Sequence, residues 1–220
     1  MAPKETALPN VQRPHTVMVH GLGSGPLWML GLKIRLRNRG HWIDSFGYNS
    51  YVGGLQRHRD RFIDHLQRVA EDQNISAAKP LNLVAHSMGT IVTRMALLDQ
   101  RTSDISLGRI VLLTPPNRPI DCHDWVGPLV RPICPAVGQL ATHPDSFVNQ
   151  IPRSAPGGDA NRVAIISAHY DILVARNSTP LDVDCPSIHL PLTHSGMLFS
   201  RSVADHVDQF LRTGEFASSA

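Results

Sequence analysis

The stretch Leu81-Asn82-Leu83-Val84-Ala85-His86-Ser87-Met88-Gly89-Thr90 decides how this chain is read. Its first five residues, LNLVA, form a short and largely apolar run, the pattern of a strand buried on both faces. From Gly89 to Leu98 the spacing becomes helical. Ala85-His86-Ser87-Met88-Gly89 must therefore turn the chain from strand into helix. So sharp a turn strains its central residue and presents the Ser87 hydroxyl beyond the end of the strand. Ala85 and Gly89 are small because strand and helix backbones pass closely there. The turn also leaves Ser87 at a helix N-terminus, where free N–H groups and the helix dipole favour developing negative charge. A small-x-Ser-x-Gly pentapeptide alone is usually an ordinary loop. The strand before it and the helix after it make Ser87 a candidate nucleophile.

The same alternation continues on both sides. Thr16 to His20 (TVMVH), Trp42 to Tyr48, Arg109 to Thr114 (RIVLLT), Val163 to Ala168 (VAIISA) and Ser187 to Leu190 read as further strands. Helical spacing runs through Leu27 to Asn38, Leu55 to Glu71 and Ser200 to Arg212, the last with Val203, Val207, Phe210 and Leu211 on one face. Apolar strands separated by helices imply a parallel sheet covered on both sides. We expect one doubly covered α/β domain over residues 1–220. Residues 117–162 break the rhythm with seven prolines and no clean periodicity. Their many apolar residues suit a packed excursion, which either just covers the sheet or caps a groove.

Composition removes several classes of function. At 220 residues and 42% apolar content the chain can bury a core without staples. Cys122, Cys134 and Cys185 are too few for a disulfide framework, and no metal-ligand spacing appears. No apolar run reaches the roughly 18 residues of a membrane span. The first sixteen residues hold no apolar signal segment, so cytoplasmic residence is expected. The net charge is only +3, and the basic residues near Lys33 and Arg57 fall on helical stretches without interleaved aromatics, which argues against nucleic-acid binding.

A nucleophilic serine needs an oxyanion hole, a base and an acid. Met88 N–H, just after the serine, is one expected oxyanion donor. Leu22 N–H, in the His20-Gly21-Leu22-Gly23 loop after the first strand, is the other. The glycines let backbone approach a substrate carbonyl, and they do not complete a GxGxxG dinucleotide fingerprint. His20 should anchor the loop, and His86 should be a structural, hydrogen-bonded histidine. With the nucleophile on such a turn, the acid and then the histidine follow it along the chain. His194, in the loop after the last strand, is the expected base; His189 and His206 fall inside a strand and a helix. Asp171, three residues after VAIISA, is the expected acid. Asp121 is the alternative, and Asp182 and Asp184 lie too near the next strand.

Ser87, Asp171 and His194, with His20-Gly21-Leu22-Gly23 ahead of them, resemble the α/β-hydrolase superfamily. More narrowly, the chain is similar to small bacterial lipases and esterases of the lipase class 2 type. The matching stretches are VMVHGLGSG, LNLVAHSMGT, RIVLLTPPN, Asp171 to Val174, and PLTHSGMLFSRSVADHVDQFLRTGEF, in register from Val17 to Phe216. Ala85 stands where glycine is commoner. The resemblance implies an α/β-hydrolase fold with a reduced parallel sheet of about six strands, hydrolysis of carboxylic esters, and no cofactor. The 117–162 insert is longer than in the smallest lidless lipases, which leaves acyl length open. The expected substrate is a small ester with a short- to medium-chain acyl group, cleaved through an acyl-Ser87, with Trp28 and Leu22 beside the acyl chain. The alternatives are a thioesterase, lactonase or acyltransferase with the same residues, or a silent binding scaffold.

Overall fold

The computed structural model describes residues 13–118, 135–140 and 147–218. Its centre is a six-stranded sheet, β1 (His15–Val19), β2 (Trp42–Phe46), β3 (Leu81–His86), β4 (Leu107–Leu113), β5 (Val163–Ala168) and β6 (Ser187–Leu190). All pairs are parallel and the spatial order is β2-β1-β3-β4-β5-β6. The expectation of a parallel sheet of about six strands holds. β1, β3 and β5 are buried at every position, because parallel strands covered on both faces have no polar side. β6, at an edge, alternates exposed and half-buried residues.

Helices α1 (Leu30–Asn38) and α6 (Arg201–Thr213) cover one face; α2 (Leu55–Asp72) and α3 (Met88–Leu97) cover the other. Alternate strand residues feed the two layers. Leu83 and Ala85 pack with Phe62 and Ile91, whereas Val84 packs with Leu32 and Val207. Each fully buried aliphatic side chain contributes roughly 1.5–3 kcal/mol. α6 buries Val203, Val207, Phe210 and Leu211, the face its spacing gives, and begins where the Ser200 hydroxyl accepts from Val203 N.

Several boundaries moved. The helix expected from Leu27 is a 3-10 turn, Pro26–Met29, followed by α1. β4 stops at Leu113 because Thr114 takes a positive φ of 43° ahead of Pro115-Pro116. Within 117–162, where no regular structure was expected, short helices α4 (Pro135–Leu140) and α5 (Phe147–Gln150) form, and a 3-10 turn spans Ala160–Arg162. Helices of four to six residues leave too little sequence for a periodicity to show. Ala136, Leu140, Val148 and Ile151 join the core cluster of α2 and α3. The fully buried Arg94 guanidinium, in α3, donates to Asn117 Oδ1 at 2.9 Å and to the Pro152 carbonyl at 2.7 Å. It thereby ties the start of the excursion, and Pro152 in its second half, to the helix behind Ser87. Asp121, Cys122 and Cys134 lie outside the described residues.

Candidate active site

The strand order reverses between β1 and β3. The chain leaves β1 toward α1 on one face and leaves β3 toward α3 on the other. Such a divergence opens a crevice beyond the carboxyl ends of the two strands. Ser87 and the His20–Gly25 loop both sit at its mouth.

Ser87 has φ 52° and ψ −129°, the strained geometry expected of it. The strain is held in place by its surroundings. Ser87 N–H donates to the Leu113 carbonyl at 2.9 Å, and the Ser87 carbonyl accepts from Thr90 N at 2.9 Å and Thr90 Oγ1 at 2.7 Å. A Cβ on Gly89 would stand 2.4 Å from the His20 carbonyl oxygen and 2.8 Å from that of Val19. α3 therefore starts against the backbone of β1, the close approach that demands glycine.

The loop after β1 passes against the nucleophile. A Cβ on Gly21 would fall 2.8 Å from Ser87 Cβ. Gly23 takes a φ of 67°, and its N–H donates to Ser50 Oγ at 3.0 Å. His20 anchors this loop as expected. Its Nδ1–H donates to the Gly21 carbonyl at 2.9 Å and its Nε2 accepts from Tyr48 N at 3.3 Å. Tyr48 Oη donates to the His20 carbonyl at 2.8 Å, and the two rings stack with centroids 4.2 Å apart. Burial lowers the His20 pKa, so the ring is neutral and its tautomer fixed. Among the described residues, neither Leu22 N–H nor Met88 N–H is engaged in a hydrogen bond.

His194 and Asp171 come together. His194 Nδ1–H donates to Asp171 Oδ2 at 2.7 Å, with both side chains nearly buried. Asp171 Oδ1 accepts from Leu173 N and Val174 N, each at 2.9 Å. Burial raises the Asp171 pKa, but the His194 hydrogen bond and charge and the two backbone donors outweigh it and hold the carboxyl below its ordinary value. The acid is ionised, and Nε2 is the His194 nitrogen left to face a reacting group.

The remaining candidates separate from this group. Asp182 pairs with Arg118 and Arg153, and His189 is exposed on the edge strand. Trp28 lies on the 3-10 turn after the Gly21–Gly25 loop and is half exposed, next to the exposed Leu27 and Leu30. Tyr170, Ile172 and Leu173 are likewise exposed around Asp171. His86 is buried and hydrogen-bonded as expected. Tyr48 and Ser50, which hold the loop after β1, were not singled out from the sequence; their position just past a strand adjacent to β1 was the available signal. Among the described residues no cluster of three or more His, Cys, Asp or Glu side chains suits a metal ion, and no helix is long and apolar enough to cross a membrane. A cleft of about 760 Å³ opens at the opposite end of the sheet, beside Pro80 and Gly108, away from these groups.

No protein-family model matches the sequence, and no curated protein matches it either. Solved structures do match. The mature form of Bacillus licheniformis lipase BlEst2 has a TM-score of 0.69 at 15% identity, over 95% of each chain. Aspergillus fumigatus lipase B has a TM-score of 0.76 at 11% identity, over 98% of this chain and 56% of that one. The type II thioesterase BorB, from the borrelidin biosynthetic cluster, has a TM-score of 0.62 at 15% identity, over 96% and 95%. The chain thus spans nearly all of two of these proteins and little more than half of the third. At such identities the likeness establishes the α/β-hydrolase fold.

Proposed function

Starting from the α/β-hydrolase fold, we propose that this chain is a serine hydrolase of carboxylic esters. One observation carries the reading: Ser87 stands on a strained turn at the same sheet edge as a histidine already oriented by a buried carboxylate. His194 Nε2 takes the Ser87 proton as Oγ attacks the ester carbonyl. Asp171 holds the imidazole tautomer and stabilises the imidazolium. Leu22 N–H and Met88 N–H donate to the tetrahedral oxyanion, at roughly 3 kcal/mol each. The imidazolium then protonates the departing alcohol as the C–O bond breaks, leaving acyl-Ser87. Water, deprotonated by His194, attacks that ester; the carboxylic acid leaves and the proton returns to Ser87. Side chains, backbone and water suffice for these steps.

The apolar residues around Trp28 and Ile172 suit a short- to medium-chain acyl group. α4, tied by Gln139 Oε1 to Leu55 N at the start of α2, suits a cap on the α2 side. A fluorophosphonate probe tests the reading. It should label Ser87 in the native chain, and Ser87→Ala should remove both labelling and p-nitrophenyl ester hydrolysis. Undiminished turnover in that variant would end the proposal. A p-nitrophenyl series from acetate to palmitate tests the acyl preference, which an optimum at palmitate would overturn. The likeness to a thioesterase makes acyl-thioesters the competing substrates, distinguished by comparing kcat/KM on matched acyl groups.

A further inference from the structure

His86 precedes the nucleophile, yet the proposed reaction gives it no role. It is 4% exposed, at the end of β3, on the face of the sheet opposite α3. Its Nε2 lies 3.1 Å from the backbone carbonyl oxygen of His194. A carbonyl only accepts, so Nε2 carries the proton and the ring has one tautomer. The two imidazoles pack with centroids 4.8 Å apart. Burial first, then the His194 charge, push the His86 pKa down to about 3, so it does not exchange protons near neutral pH.

The sheet shows why such a contact matters. His194 follows β6, and Ser87 follows β3, three strand positions away. At about 4.8 Å per strand, the loop carrying His194 must reach roughly 14 Å back across the sheet. Its hydrogen bond to Asp171 fixes it to the loop after β5, the neighbouring strand. Among the described residues, the His86 bond alone joins His194 to the strand that bears the nucleophile.

We propose that His86 is a positioning residue: by holding the His194 carbonyl, it sets the separation between the His194 imidazole and the Ser87 hydroxyl. This rests on the serine hydrolase reading above. A misplacement of about 1 Å between reacting groups can cost about 100-fold, so the effect belongs in kcat.

Asparagine and glutamine separate the two ring nitrogens. A glutamine amide nitrogen reaches the Nε2 position; an asparagine amide nitrogen stops near Nδ1. The two variants His86→Asn and His86→Gln are therefore compared by steady-state p-nitrophenyl butyrate hydrolysis, by fluorophosphonate labelling rate, and by thermal unfolding. The expected result is a 10- to 100-fold loss of kcat in His86→Asn with KM little changed, a parallel loss in labelling rate, and recovery of most of the rate in His86→Gln. Equal kcat in the two folded variants, or a loss that follows thermal stability alone, overturns the proposal. Ser87→Ala run alongside separates the outcomes: if it retains activity, the hydrolase reading itself has failed; if it is inactive while His86→Asn is not impaired, only the role of His86 has.

Discussion

Asp171→Asn removes a charge while leaving shape almost unchanged, and the structure says which way the new amide must face. Asp171 Oδ1 accepts two backbone N–H bonds, from Leu173 and Val174, and Oδ2 accepts from His194 Nδ1. An asparagine can satisfy the backbone pair only by placing its amide oxygen at the Oδ1 position. Its NH2 then points at His194. Turning the amide over would aim NH2 at two backbone donors and leave both unsatisfied, at about 1–3 kcal/mol each, or roughly 2–6 kcal/mol in all. The favoured arrangement has His194 Nδ1 accepting and its proton moved to Nε2. That tautomer cannot take a proton from Ser87. The same substitution in the trypsin-like triad costs about 10⁴ in kcat, near 5.5 kcal/mol at about 1.36 kcal/mol per decade, within the range set by the two backbone donors. Steady-state p-nitrophenyl butyrate hydrolysis at neutral pH should therefore fall by about 10³- to 10⁴-fold, with unchanged circular dichroism. A folded variant within tenfold of the native rate would refute the tautomer argument and turn attention to Asp121.

Gly89→Ala places a methyl group against the backbone oxygens of Val19, the last residue of β1, and of His20 just after it, neither of which can move aside as a side-chain end would. About 3 kcal/mol of stability should be lost, read by denaturant unfolding. Gly25→Ala, whose Cβ meets nothing within 4 Å, should be neutral, and equal effects from the two would show that close approach is not the cause. Acid should destabilise the fold below neutrality. The His86 pKa is about 3 when folded against an ordinary 6.5, so the unfolded chain binds the extra proton between those values. Stability from this residue is complete above about pH 6.5 and falls by about 1.4 kcal/mol per pH unit as pH drops toward 3. His58, held down to about 4 by burial and by Arg61 and Arg57, adds in the same direction. Unfolding free energies at pH 7, 6 and 5 check the slope, which should be shallower by about one proton in His86→Gln; an identical slope there would remove His86 as a cause.

Local chemistry was legible wherever it left a local signature. VAIISA became β5, an apolar run buried at every position, and SIHL became β6, an edge strand whose residues alternate in exposure, both at their expected bounds. Ser87, His194 and Asp171 could be ranked because a turn, a strand end and a chain order each constrain one residue at a time. The bonds that hold them could not be ranked. His20 with Tyr48, Arg94 with Pro152, and His86 with the His194 carbonyl join residues 28, 58 and 108 positions apart.

The sequence by itself determined the alternation of strands and helices, the turn at Ser87 and the need for glycine beside it, because hydrophobic period and backbone sterics act over a few residues. Only the tertiary structure decided that β1 lies against β3, that Asp171 meets His194 at 2.7 Å, and that the His86 ring reaches the His194 carbonyl. Those facts follow from how the buried faces of distant segments pack together, and no single segment carries that information.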